Sequence, residues 1–208
     1  MANWDGDSSQ LRRNLARVLS RIRDASRRRE IPTVEDAREW QSDTMNGLDV
    51  PDPQYVGKFR GESGTLKEYE IEIDGQRGTP AGEVESELKA FEHKLQETVA
   101  ALDELIPVNR ELDTDSMTAV IKLCAWTHAE WVRIHPFANG NGRIARLWAN
   151  SLLMRYGLPP FVRLRPRPNG GYGSAGEKAM CGDWQPTVKV FYKMLRDFTG
   201  AELSSKAT

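Results

Sequence analysis

The segment DSMTAVIKLCAWTHAEWVRI, residues 115–134, is apolar around most of its circumference when wound as a helix. A helix of that kind has no face for water, so the rest of the chain has to wrap it. The neighbouring segments are patterned to do so. Residues 83–105 carry Val84, Leu88, Phe91, Leu95, Val99 and Leu102, and residues 8–30 carry Leu11, Leu15, Val18, Leu19, Ile22 and Ala25, both at the spacing of one helix face. Pro32 ends the first helix, and Thr33 with Glu35 and Asp36 after it predicts the N-cap of a second that reaches about Asn46. Further helices are expected from Asn141 to Tyr156, stopped by Gly157 and Pro159-Pro160, around Ala175, and from Pro186 to Phe198.

Between Gly47 and Gly64 the chain is rich in glycine and proline and reads as loop. EYEIEIDG then alternates polar and apolar residues, and Asp74-Gly75 is a hairpin turn signal. These strands are too short for a sheet and predict a flap. The expectation is one all-α domain at residues 51–198, preceded by a helical arm at 1–50 and followed by a frayed tail at 199–208.

The 208 residues include 29 Lys and Arg against 30 Asp and Glu, a balance that argues against a nucleic-acid partner at the level of the whole chain. Eight arginines crowd residues 12–29, but no aromatics are interleaved, and the default reading is a solvated face. No stretch approaches the roughly 18 uninterrupted apolar residues of a membrane helix, and no apolar leader is visible. The two cysteines, Cys124 and Cys181, have neither metal-ligand spacing nor a disulfide framework and read as small core residues of a protein in a reducing cytoplasm.

Twelve residues concentrate the chemistry: HPFANGNGRIAR, His135 to Arg146. Pro136 disfavours the right-handed helical conformation for His135, so the central helix has to stop there and present the imidazole to the following loop. A neutral histidine in that place can serve as a general base. The helix C-terminus raises its pKa and burial lowers it, and spacing alone does not choose between them. Gly140-Asn141-Gly142 gives the backbone freedom for positive φ at the mouth of the next helix, where amide N–H groups bind anions. Arg143 and Arg146 share one face of that helix and suit several phosphate groups.

This stretch resembles the signature of the Fic (Fic/Doc, "fido") family, HPFx[D/E]GNGRxxR. WTHAEWVRIHPF is similar to the helix entering that motif, LWANSLLMRYGLP to the one leaving it, and KFRGESGTLKEYEIEIDG to the family's flap, so the likeness runs from about Tyr55 to Phe198. It implies a compact helical bundle with a β-hairpin flap that transfers AMP from ATP to a Ser, Thr or Tyr hydroxyl of a target protein. By that resemblance His135 is the base, and Phe137 anchors the loop. The backbone of Gly140 to Gly142 and the side chain of Asn141 bind the α- and β-phosphates. Arg143 neutralises the leaving pyrophosphate, Arg146 holds the γ-phosphate, and the flap residues Glu70, Ile71, Glu72 and Ile73 align the target segment.

Asn139 departs from the signature. The family places Asp or Glu there to hold Mg²⁺ between the α- and β-phosphates, and an amide offers a neutral oxygen, a weaker ligand for a hard cation. Three outcomes stay open: adenylylation with weaker metal dependence, transfer of a different phosphate-containing moiety, or a non-catalytic nucleotide- or partner-binding module. Many family members also carry an inhibitory [S/T]xxxE[G/N] helix. Ser26 and Glu30 have its spacing, but Ile31 lies outside the pattern. In an arginine-rich helix such a match arises easily by coincidence, which is the default reading; the hypothesis it offers is a pairing of Glu30 with Arg146, the alternatives being a separate small antitoxin protein or no inhibition. His128 reads by default as a core histidine, with a second catalytic histidine as the alternative, and His93 as surface. RLRPRP at 163–168 reads by default as a solvated loop, with contact to a nucleotide or a target as the alternative, and Tyr172 as packing near the base pocket.

Overall fold

The computed structural model describes residues 2–4, 6–108 and 110–205. Its helices are α1 (Ser9–Arg27), α2 (Val34–Met45), α3 (Val84–Leu105), α4 (Thr114–Ile134), α5 (Asn141–Arg155), α6 (Tyr172–Met180) and α7 (Gln185–Ser205). Two ribbons of two-residue strands complete it. β1 (Ala2–Asn3) runs parallel to β2 (Leu48–Asp49), and β3 (Glu72–Ile73) runs antiparallel to β4 (Gln76–Arg77) around the Asp74-Gly75 turn. The fold is all-α with a hairpin flap, as the periodicity predicts.

Local chemistry sets the helix starts. The hydroxyl of Ser8 accepts from the Leu11 N–H, Thr33 and Asp36 form a reciprocal capping box, and the Asp113 carboxylate accepts from the Ser116 N–H. At the centre α4 packs against α3, α5, α6 and α7. Trp131 of α4, Trp148 of α5 and Phe91 of α3 meet with ring centroids 5.4–5.6 Å apart, and Trp40 of α2 joins Trp148 at 5.2 Å.

Three expectations change. The first fifty residues are not a separate arm: Leu11, Leu15, Val18 and Ile22 of α1 and Trp40 of α2 lie in the same core as α4 and α5, because the apolar stripe of α1 is buried against α5. The Ser26 hydroxyl fastens that contact by donating to the Ser151 carbonyl at 3.1 Å. The tail from 199 is not frayed throughout, since α7 continues to Ser205; residues 206–208 lie outside the described residues. Cys124 is buried, and burial pushes its thiol pKa far up, whereas Cys181 is exposed on a turn.

The arginine-rich face of α1 is solvated and partly paired, with Arg12 to Asp7, Arg21 to Glu39 and Asp43, and Arg28 to Glu30. Among the described residues no helix is long and apolar enough to cross a membrane.

Candidate functional site

α4 ends at Ile134, and His135 adopts the left-handed conformation with φ 52° and ψ 56°. Proline after it closes the right-handed route, so the chain turns the other way and aims the imidazole into a cavity of about 440 Å³. Nδ1 of His135 lies 3.1 Å from the Val132 carbonyl oxygen. A carbonyl only accepts, so Nδ1 carries the proton and Nε2 keeps its lone pair. Burial outweighs the helix C-terminus and lowers the imidazole pKa to about 4.

The loop after it is held from inside. Phe137 is fully buried against Phe59, ring centroids 4.8 Å apart. Asn141 bonds at both ends of its amide to the Phe137 backbone, Oδ1 accepting from N–H at 2.9 Å and Nδ2 donating to the carbonyl at 2.7 Å. The expected side-chain role of Asn141 in phosphate binding is therefore corrected: the amide shapes the loop, and only its backbone N–H heads the cradle. Gly140 sits at φ 91°, and a side chain there would come within 3.0 Å of the Met45 methyl.

Asn139, Gly140, Gly142, Arg143 and Arg146 line the same cavity as His135. Arg143 donates to the Trp4 carbonyl at 2.7 Å and to Asn139 Oδ1 at 3.3 Å. Arg146 is buried and donates to the Tyr172 hydroxyl at 3.0 Å; that hydroxyl lies 2.7 Å from His128 Nε2, to which it donates. His128 is thus a core histidine, its pKa lowered by burial to about 3. His93 is exposed beside Glu97.

At the motif position where the signature has Asp or Glu, Asn139 does not fit a protein-held Mg²⁺, and the carboxylates lining the cavity, Asp74 and Glu177, lie outside the motif. The neutral Oδ1 of Asn139 already accepts from the Gly140 N–H and from Arg143, and a guanidinium beside it repels a dication. Among the described residues no group of His, Cys, Asp and Glu is arranged to hold a metal.

Glu30 does not reach Arg146. It pairs with Arg28 at 2.6 Å, more than half exposed, and lines a different cavity between α1 and α2. The spacing matched the inhibitory pattern, but α1 ends at Arg27 and Glu30 follows in the turn that leaves it.

Arg60 was not singled out by sequence. Fully buried, it donates from its side chain to the carbonyls of Ile134 (3.1 Å), His135 (2.8 Å), Tyr69 (3.0 Å) and Thr79 (2.7 Å), and its backbone N–H donates to Pro136 at 2.7 Å. It satisfies the orphan carbonyls at the end of α4 and ties both ends of the flap to the histidine. No local pattern announces this, since its partners at the end of α4 are more than seventy residues away in sequence. The flap itself is exposed: Glu70 accepts from the Ala81 N–H at 2.9 Å, the Ile71 carbonyl accepts from Gly78, and Ile73 borders the cavity. Arg165 and Arg167 also line it.

The Fic/DOC family model matches residues 32–153, more than half of the chain. The chain belongs to the Fic/DOC family. It is 33% identical over 128 residues to the protein adenylyltransferase Fic of Drosophila mojavensis, covering 62% of this chain and 22% of that protein. To the protein of the same name from Nematostella vectensis it is 36% identical over 85 residues, 41% of this chain and 20% of the other. The matched part is thus about a fifth of the length of these curated relatives. Among solved structures, Fic-1 (residues 134–508) from Caenorhabditis elegans superposes with a TM-score of 0.63 at 22% identity, over 97% of this chain and 55% of that one. BepC from Bartonella tribocorum, with bound AMPPNP, gives 0.59 at 17% identity, over 90% and 87%. These two likenesses establish a shared Fic fold.

Proposed function

We propose that this Fic-family chain is a protein adenylyltransferase that binds ATP in the cavity beneath the flap and transfers AMP to a hydroxyl of a target protein. One observation carries the reading: the Nδ1 bond of His135 to Val132 leaves Nε2 as a base in the cavity that Gly140, Gly142, Arg143 and Arg146 line. The target hydroxyl gives its proton to Nε2 while its oxygen forms a bond to the α-phosphorus. The bond from the α-phosphorus to the bridging oxygen breaks, and pyrophosphate leaves with the electron pair. Negative charge builds on the non-bridging and leaving oxygens, where the amides heading α5 and the two guanidiniums are already in place. The triphosphate's own charge raises the affinity of the imidazole for that proton.

The relatives named protein adenylyltransferase support this reading, as does the AMPPNP in the BepC structure for the donor. The exposed hairpin Glu72 to Arg77 offers the target segment an unpaired strand edge. Glu30 is engaged elsewhere, so any inhibition through Arg146 would come from another group, such as a small antitoxin.

Incubation of the protein and candidate targets with ATP labelled at the α-phosphate tests the proposal. Covalent label on protein, reduced about 10³-fold in His135→Ala, is the expected result. Label transferred from the γ-phosphate instead would establish phosphoryl transfer, and no label from either position would leave a binding module.

A further inference from the structure

The cavity holds two arginines beyond the motif pair, set against the carboxylates of Asp74 and Glu177 that also line it. Arg165 and Arg167, on the irregular segment between α5 and α6, line it together with Arg143 and Arg146. Tyr172 organises part of the set: the Arg146 guanidinium lies 5.7 Å from its ring centroid and the Arg167 guanidinium 5.8 Å. Arg146 forms the floor, only 4% exposed, with its Nε lacking a partner and no carboxylate paired with it among the described residues. Arg167 is exposed and forms the rim. Two cations gathered on one neutral phenol repel each other until an anion comes between them. At the position where a carboxylate would recruit a metal, Asn139 supplies an amide oxygen already bonded to Arg143.

We infer that this chain binds the triphosphate of its donor nucleotide without a divalent cation, with Arg167 as an additional phosphate ligand supplying charge that Asn139 cannot recruit through a metal. The inference rests on the proposed nucleotide site and concerns binding, so it stands or falls apart from turnover. A dication is redundant where guanidiniums already neutralise the oxygens, and it is disfavoured next to Arg143. Guanidiniums also bind pairs of phosphate oxygens in a fork, which suits a chain of phosphates running from the floor to the rim.

Calorimetric titration of the 208-residue chain with ATP and with AMP, each in EDTA and in excess Mg²⁺, tests it. Wild type is expected to bind ATP with a Kd that differs by less than about threefold between the two buffers. Arg167→Ala, an exposed position whose loss leaves the core intact, should weaken ATP binding in EDTA about tenfold while AMP binding changes little. Asn139→Asp should weaken ATP binding in EDTA and regain it in Mg²⁺, because it adds a repulsive charge that a metal converts to an attractive one. Loss of more than about tenfold in wild-type affinity on chelation overturns the inference and leaves adenylyl transfer standing. So does an Arg167→Ala variant that binds ATP unchanged, or one that loses ATP and AMP equally. Absence of ATP binding in both buffers overturns the proposed function and this inference together.

Discussion

Two buried arginines lie toward opposite ends of α5, and their surroundings differ in one respect. Arg155, near the C-terminal end, pairs with Asp103 of α3, which also accepts from Arg29 at 2.9 Å and from the Tyr156 hydroxyl at 3.1 Å. Burial pushes the Tyr156 phenol up to about 12, with the Asp103 charge adding to it. That cluster gives its guanidiniums a carboxylate within the protein, although Arg155 Nε and Nη1 and Arg29 Nε keep no partner among the described residues, and it joins the region after α1 to α3 and α5. Arg146, near the N-terminal end, has a phenol for a partner and no carboxylate among the described residues. A buried cation is costly unless paired, so the first arrangement is structural and the second is poised for an anion.

Removing the pairing carboxylate should separate the two most sharply. Asp103→Ala leaves Arg155 and Arg29 uncompensated and is expected to cost about 3 kcal/mol, a fall of roughly 6–12 °C in Tm followed by circular dichroism. ATP affinity should change by less than about twofold, and a variant that melts normally would erase the distinction.

Acid should act on the cradle end. His128 and His135 have folded pKa values lowered by burial, to about 3 and about 4, against about 6.5 in the unfolded chain. Between those limits the unfolded state binds protons that the folded state refuses, so stability rises with pH and is lost as pH falls from about 6.5 toward 4. Tm is expected to drop on going from pH 7 to pH 5, with a shallower slope in His135→Ala. By the same shift, kcat/KM should show no break near 6.5 and should decline only toward pH 4. A break at the ordinary histidine value would mean that the imidazole is more solvated than the geometry indicates.

The smallest change in stability belongs to Arg146→Met, which replaces a buried cation that has no carboxylate partner among the described residues with an apolar chain of similar length. Its Tm should stay within about 2 °C of wild type or rise, while ATP binding weakens about tenfold or more. A large loss of stability would place Arg146 with Arg155 as a structural group.

The helices were legible because burial imposes a period on each one separately: the apolar steps of α3 and the all-round apolarity of α4 need no knowledge of the partner. The cradle was legible because its parts are adjacent in the chain, from the histidine forced out of the helix by Pro136 to the two arginines one turn apart. Local reading misled where direction mattered more than spacing. Asn141 turned its amide inward to Phe137, Glu30 fell past the end of α1, and Cys181 came to lie on an exposed turn.

The order of residues by itself determined where helices start and stop, that His135 stands at a break between two of them, and that position 139 carries no charge. Only the tertiary structure decided that Arg60 ties the flap to that histidine, that Asp103 pairs with Arg155 while no carboxylate among the described residues pairs with Arg146, and that Arg167 lies beside Tyr172 at the same cavity. The physical reason is that conformational preference and periodicity act over a few neighbouring residues, whereas the pairing of a charge depends on which distant segments burial brings together.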